Sequence, residues 1–374
     1  MPCGRSDVRC VLPATMKVAV AMSGGVDSST AAYLLKSEGH EVVGLSMQMV
    51  DNLAASDSKY GGCCTIDDLA DARRVAWKLD IPHFTLNLEE NFHEKVVAPF
   101  VRSYLAGMTP SPCVLCNTHV KFDLFHRKAR AIGAAKIATG HYARITENGT
   151  LHQLRKARDL AKDQSYFLFE LTQEQLGGAL FPLGELTKPE VRAIAARAGL
   201  PVASKRESYE ICFVPQKDGY ASIVEREAAI DAGSQSGEII DVAGNVVGRH
   251  DGFYHFTIGQ RRGLQIGGGP DRTYVVDVDP LTRRVTIGGA AALERSELIA
   301  ERVHWISGEP PAGPIEIEAR VRSRAADVAA RVTPIGDGRA RVEFAQKLRA
   351  VAPGQAVVFY DGDVCLGGGW ISRS

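Results

Sequence analysis

No apolar run in this chain approaches the roughly 18 residues that a bilayer-spanning helix needs, so a membrane partner is not expected. Charge of one sign is also missing. Lys+Arg and Asp+Glu each total 44, a formal net charge of zero. A uniformly basic nucleic-acid-binding surface is thereby excluded, and an RNA would have to be met by local patches. The opening "MPCGRSDVRCVLPAT" has no continuous apolar segment of the secretory kind, so residues 1–15 read as a disordered extension and a cytoplasmic address follows. Repeat arrays and low-complexity tracts are absent as well.

The 374 residues, 45% hydrophobic and 24% charged, suit a soluble globular protein of two or three domains. From residue 16, β-like runs ("MKVAVAM", "HEVVGLSMQM", "PHFTLNL", "KIATG") alternate with helical ones ("STAAYLLKSEG", "DDLADARRVAWKLD", "NFHEKVVAPFVRSYLAG", "NTHVKFDLFHRKARAIG"). That alternation predicts α/β architecture, a doubly wound parallel sheet whose ligands bind beyond the strands' carboxyl ends. "TKPEVRAIAARAGLP" adds a helix capped by Thr187 and stopped at Gly199. Past about residue 215, glycines and short β-like runs take over, as in small barrels. The expected division is a catalytic α/β domain at 16–218, a small central β-rich domain at 219–292 and a C-terminal β-barrel at 293–374, with a boundary near "GGAAALERSELI".

"SGGVDSS" (23–29) falls between the first strand and the first helix. Glycine-rich backbone amides at a helix start form a nest for phosphate. A plain βα turn is the bland alternative, and no lysine follows the second glycine as a Walker-type loop requires. Eight cysteines stand at 3, 10, 63, 64, 113, 116, 212 and 365. Cys113 and Cys116 form a C-x-x-C ahead of a helix, where thiol pKa values fall. Cys212, in "ESYEICFVP", could be a small buried hydrophobe in a strand pattern with Tyr209, Ile211 and Phe213.

The glycine loop resembles the S-G-G-x-D-S of the PP-loop ATP pyrophosphatases. From residue 16 onward the whole chain resembles the tRNA-specific 2-thiouridylases of that superfamily, through "AMSGGVDSS", "DLADARRVA", "CVLCNTHVKF", "ATGHYAR", "KDQSYFL", "FPLGELTKPEVR", "ICFV", "TIGQRRGL", "YVVDVD" and "PGQAVVFYDGDVCLGGG". The resemblance implies an N-terminal PP-loop domain and a transferase that thiolates the wobble uridine. ATP adenylates the uracil C2 oxygen with release of pyrophosphate, and sulfur then replaces it as AMP leaves. It implies Cys212 as persulfide carrier, loaded by an upstream sulfur-donor protein, and Cys116 as the nucleophile that frees the sulfur and leaves a Cys116–Cys212 disulfide. It places ATP at Ala21, Met22, Ser23, Gly24, Gly25, Val26, Asp27, Ser28, Met47 and Gly140, with Mg²⁺ on the phosphates. The tRNA anticodon loop would meet Ser111, Pro112 and Cys113 at the target base, and His141, Lys162, Asp163, Gln164, Arg324 and Gln355 elsewhere. A monomer is favoured.

Two departures matter. Cys113 stands where many members carry an aspartate, so that acid/base role does not transfer. Three thiols at 113, 116 and 212 could instead hold an iron–sulfur cluster with one iron open for sulfide, a route that competes evenly with the persulfide. Ala325 replaces a family tyrosine beside Arg324. In the basic stretch 319–349, eight Arg/Lys face three Asp/Glu, and "EIEARVRSR" would set Arg320, Arg322 and Arg324 along one strand face. Cys365 reads as barrel core. The rival functions are another PP-loop ATP-dependent ligase, which needs no three cysteines, and a non-adenylating sulfur-relay protein, which leaves the phosphate nest unexplained.

Overall fold

The computed structural model describes residues 15–50, 65–207, 211–215, 219–231, 233–264 and 272–373. Residues 1–14 of the expected extension at 1–15, and the pair Cys63–Cys64, lie outside these residues. Among the described residues no helix is long and apolar enough to cross a membrane.

The α/β body is built on a parallel five-stranded sheet, β1 (Lys17–Ala21), β2 (Glu41–Gln48), β3 (His83–Asn87), β4 (Lys136–Ala138) and a short β7 (Ala179–Leu180), in the order β3-β2-β1-β4-β7. Val18, Ala19 and Val20 are fully buried because helices cover both faces, which is why β1 reads as an unbroken apolar run. Helix α1 (Val26–Ser37) follows β1 directly, and α2 (Ile66–Lys78) starts at a Thr65–Asp68 capping box. Two long helical segments, 89–105 and 112–131, make the crossover from β3 to β4. Thr187 caps the helix Lys188–Arg197, where the Glu190 carboxylate accepts from the Thr187 amide at 2.6 Å.

The central module is a four-stranded sheet, β8 (Gly237–Asp241), β9 (Val246–His250), β10 (Tyr274–Asp279) and β11 (Arg284–Gly288), ordered β10-β11-β8-β9. A helix, Gly219–Glu227, precedes it where only β-like texture was expected. Its packing explains the surprise, since Ile223 and Val224 are buried in a cluster shared with the α/β body.

The C-terminal module is a closed antiparallel barrel of β12 (Glu294–Trp305), β13 (Ile315–Arg320), β14 (Val328–Gly336), β15 (Arg339–Arg349), β16 (Ala356–Asp361) and β17 (Val364–Ile371), with β17 pairing back onto β12. The body also contributes a hairpin the sequence did not announce, β5 (Ala143–Asn148) and β6 (Leu151–Lys156). Its β6 pairs with the start of β17, Leu154 opposite Cys365, so body and barrel share one continuous sheet.

A buried ionic knot reinforces that seam. The Arg320 guanidinium donates to Asp163 at 3.0 Å and to Asp327 at 3.0 Å, while Lys156 Nζ reaches Asp327 at 2.7 Å. Burial pushes the Asp327 carboxyl up, but its bonds to Arg320 and Lys156 outweigh this and hold it below the usual carboxylate range. The expected row of arginines is corrected accordingly. β13 ends at Arg320, whose side chain is buried, and Arg322 and Arg324 sit exposed in the following turn. Cys365 is corrected too. It packs with Tyr166, Phe169 and Trp370 between body and barrel, whereas the barrel interior is lined by Val332, Val342, Val357 and Phe359. Burial raises its thiol to about 12.

Arg320→Ala strips a buried aspartate of its cation and is expected to cost about 3–5 kcal/mol of folding stability. Arg331→Ala, which opens an exposed pair with Glu316, is expected to cost nothing measurable. Urea unfolding of both variants decides; equal losses would mean the knot contributes no more than a surface pair.

Candidate active site

The SGGVDSS loop leaves β1 at its carboxyl end and turns into α1 at Gly25, the N-cap residue. Gly24 has φ +70°, and a Cβ there would lie 2.1 Å from the Asp68 carbonyl oxygen, so only glycine fits. Ser28 Oγ accepts from the Ser23 amide at 3.2 Å, and Ser29 Oγ donates to the Gly25 carbonyl at 2.8 Å. These bonds hold the loop in shape before any ligand arrives. Gly140, just past β4, abuts the same helix start. A Cβ on it would stand 2.6 Å from the Ser28 nitrogen. Met22 is buried beneath the loop, and Ser46 Oγ donates to its carbonyl at 2.7 Å. Met47 ends up beside them near the carboxyl end of β2. Every residue expected at the nucleotide therefore gathers at one sheet edge.

Asp27 faces away from the loop's amides. Its carboxylate accepts from the Tyr142 hydroxyl at 2.9 Å and from Lys188 Nζ at 2.7 and 2.8 Å. Burial, then the Asp27 charge, pushes the Tyr142 hydroxyl far above its ordinary value, so it stays a donor. Lys188 also meets Glu207 at 3.0 Å, and Glu207 takes Lys162 at 2.6 Å and Arg192 at 3.5 Å. Across the loop, Lys205 Nζ donates to the Gly24 carbonyl at 3.1 Å and to Asp68 at 2.7 Å. Sequence reading missed Tyr142, Lys188, Lys205 and Glu207. The "TKPEVR" and "ATGHYAR" runs contained two of them, but nothing in the spacing links positions 27 and 188.

The thiols lie next to this edge. Pro112 opens the helical segment that carries Cys113, which is exposed, and Cys116, which is buried. Cys212, half-buried, follows Glu207 by five residues, in a turn closed by the Val214 amide on the Ile211 carbonyl at 3.0 Å. The strand expected at 209–213 is thus a turn over 211–214, with Tyr209 outside the described residues. Phe213 anchors it, meeting Phe100 and Phe92 edge-on with ring centroids 5.0 and 5.6 Å apart. Cys116 and Cys212 belong to one apolar cluster, and Met47, Leu86 and Leu115 connect that cluster to the core of the α/β body. Among the described residues no three His, Cys, Asp or Glu side chains converge to hold a metal ion.

The barrel grips the loop that leads into C-x-x-C. Gln355 Nε2 donates to the Thr109 and Pro110 carbonyls at 3.0 and 2.9 Å, and the Thr109 amide donates to the Pro353 carbonyl at 2.8 Å. Arg373 reaches the Ala106 carbonyl at 2.8 Å and Asp277 of the central module at 3.2 Å. All three modules therefore meet at residues 106–110. Of the side chains expected against RNA, several turn inward. His141 is buried beside Phe122 and Phe181 and shares a 2.7 Å hydrogen bond with Thr139, and burial, then the Lys121 charge, keeps its pKa well below the ordinary value. Asp163 binds Arg320, and Gln164 Oε1 accepts from the Tyr142 amide at 2.8 Å. Ser111 and Pro112 are buried, and Cys113 and Arg324 face solvent.

Gly24→Ala and Gly140→Ala put a methyl group where no space exists and are each expected to cost about 1–3 kcal/mol through local distortion. Hydrogen exchange of amides 23–28 should accelerate in both; unchanged protection would show that the loop tolerates a side chain.

Three family models match the chain in sequence. They are a tRNA methyl transferase HUP domain over residues 16–216, a tRNA methyl transferase PRC-barrel domain over 230–289 and an aminomethyltransferase beta-barrel domain over 295–371. Among curated relatives, the tRNA-specific 2-thiouridylase MnmA of Geotalea uraniireducens is 51% identical over 364 residues, covering 96% of this chain and 95% of its own. That of Geobacter metallireducens is 50% identical over 365 residues, 96% of this chain and 98% of its own. That of Clostridium botulinum strain Alaska E43 is 44% identical over 355 residues, 95% and 97%. Identity of this order over nearly the full length, through all three modules, means that the chain belongs to the tRNA-specific 2-thiouridylase family.

Proposed function

We propose that this enzyme adenylates the C2 oxygen of a wobble uridine with ATP and replaces that oxygen with sulfur carried on Cys212. The observation that carries the reading is the convergence at one sheet edge of a preformed phosphate nest with two thiols, Cys116 and Cys212, in a shared apolar cluster. The uracil C2 oxygen is a poor leaving group because the ring carbonyl is amide-like. Transfer of AMP to it, with pyrophosphate released, lets it depart as AMP.

The glycine loop and the positive end of α1 receive the phosphates. Magnesium would arrive on phosphate oxygens, since Asp27 is committed to Lys188 and Tyr142. Met47 and Gly140 border the nucleotide. An upstream protein donor loads Cys212 as a persulfide, and its terminal sulfur attacks C2. The Cys116 thiolate then attacks the Cys212 sulfur, the S–S bond to the substrate breaks, and its electrons remain on the new C2 thiocarbonyl. The product is 2-thiouridine and a Cys116–Cys212 disulfide, which a cellular thiol must reduce before the next turnover. Such a cycle suits the reducing cytoplasm and a monomer that works alone.

A wobble base is already partly unstacked, which lowers the cost of extracting it from an anticodon loop. Cys113 borders its pocket, and Arg324 meets the phosphate backbone. Gln355 acts on the same pocket by holding the 109–110 backbone.

Cys212→Ser should abolish thiolation while tRNA-dependent pyrophosphate release persists. Thiolation that survives this change would remove Cys212 from the mechanism. Arg324→Ala should weaken tRNA binding by about tenfold or less, as expected for one phosphate contact, and leave ATP binding alone. A filter-binding titration at two salt concentrations measures it, and an unchanged affinity and salt slope would return Arg324 to ordinary solvated surface.

A further inference from the structure

We propose that Glu207 is a place-holder for nucleotide phosphate, occupying the cation cluster beside the glycine loop until ATP displaces it. This rests on the ATP reading above. Three cations, Lys162, Lys188 and Arg192, surround Glu207 at 2.6, 3.0 and 3.5 Å. Lys188 and Arg192 stand one turn apart on the helix Lys188–Arg197, and Lys162 comes from the loop before it. A second carboxylate, Asp27, pairs with Lys188. With the Glu207 carboxylate gone, three cations lose a shared counter-charge, and Lys188 remains on Asp27 at the start of the helix that opens from the nest of backbone amides. A cluster of that sign and position is what a polyphosphate requires.

Lys188 has only 9% of its side chain exposed, so water cannot stand in for a missing counter-ion. Some anion must stay near it at all times. The two carboxylates on Lys188 are not equally free to leave. Asp27 lies in the first turn of α1, favoured there by the helix dipole, and also holds the Tyr142 hydroxyl. Glu207 lies outside any helix or strand, in a short stretch between the helix Lys188–Arg197 and the turn that bears Cys212. An incoming phosphate therefore exchanges with Glu207 rather than with Asp27. Glu207 and Cys212 are five residues apart in sequence, so the exchange acts on the chain that leads to the sulfur carrier. Nucleotide binding thereby comes before sulfur delivery by construction.

The test uses the full chain, the magnesium complex of the imido analogue of ATP, and no tRNA. Glu207→Gln keeps the side-chain shape and removes its charge. It is expected to bind the analogue about tenfold more tightly than the native chain, whereas Lys188→Met should bind it more weakly. Alkylation of Cys212 by iodoacetamide, followed by peptide mass, supplies the second readout. Nucleotide should change the rate in the native chain, and Glu207→Gln should show the nucleotide-bound rate with none present. A merely structural glutamate predicts the opposite, weaker nucleotide binding on losing its ion pairs. Unchanged or weaker binding by Glu207→Gln, or Cys212 labelling that still responds to nucleotide as in the native chain, overturns the proposal. If the glutamine variant fails to fold, Glu207→Asp replaces it. Its shorter reach loosens the same ion pairs and should give smaller shifts in the same directions, and their absence overturns the proposal equally. Failure of the native chain to release pyrophosphate in the presence of tRNA would refute the proposed function instead, leaving the binding comparison intact.

Discussion

Asp163 and Lys156 on the α/β body, Arg320 and Asp327 on the barrel, form a buried ionic knot from which the site takes its geometry. Charges taken out of water hold their partners tightly, because breaking any one pair strands the other charge. The knot fixes the barrel's orientation, and that orientation brings Pro353 and Gln355 onto the backbone of residues 109–110. The C-x-x-C segment starts where it does because a module more than two hundred residues away along the chain holds the preceding loop. Arg373 adds the central module to the same junction. The position of the thiols is thus a property of the whole assembly rather than of one helix start.

Legibility in the sequence follows how local each feature is. The parallel sheet, the glycine loop and the Thr187 cap are local signals, written in consecutive residues, and they read correctly. The C-x-x-C pair was equally visible. Features made by distant residues meeting were not. The ion pair of Asp27 with Lys188 joins positions whose types are individually unremarkable. The hairpin β5–β6 looked like part of an α/β region because its partner strand lies at 364–365. Alternating arginines after Glu318 looked like one strand face, but the strand stops at Arg320, and that arginine was the one carrying the knot. Cys365 was recognisable as buried, though not as seated between two modules.

Electrostatics around the loop show the same division of labour. Backbone amides and a helix dipole supply a fixed positive end, and side-chain cations supply the adjustable part. Each of those cations is matched by a carboxylate, as low local dielectric demands. The loop itself needs no adjustment, since Ser23, Ser28, Ser29 and the two glycines already hold it in place. Binding energy is then free to act on side-chain rearrangement rather than on backbone ordering.

The shared sheet between β6 and β17 has a consequence for the order in which the protein can be made. Residues 151–156 leave the ribosome long before residues 364–371, and their outer edge cannot find its mate until residues 364–365 have been made. During that interval the nascent α/β body carries an open strand edge of the kind that recruits foreign strands. Strand β17 is therefore the one that seals the first domain, so a chain that stops before residue 364 is left with that edge uncovered.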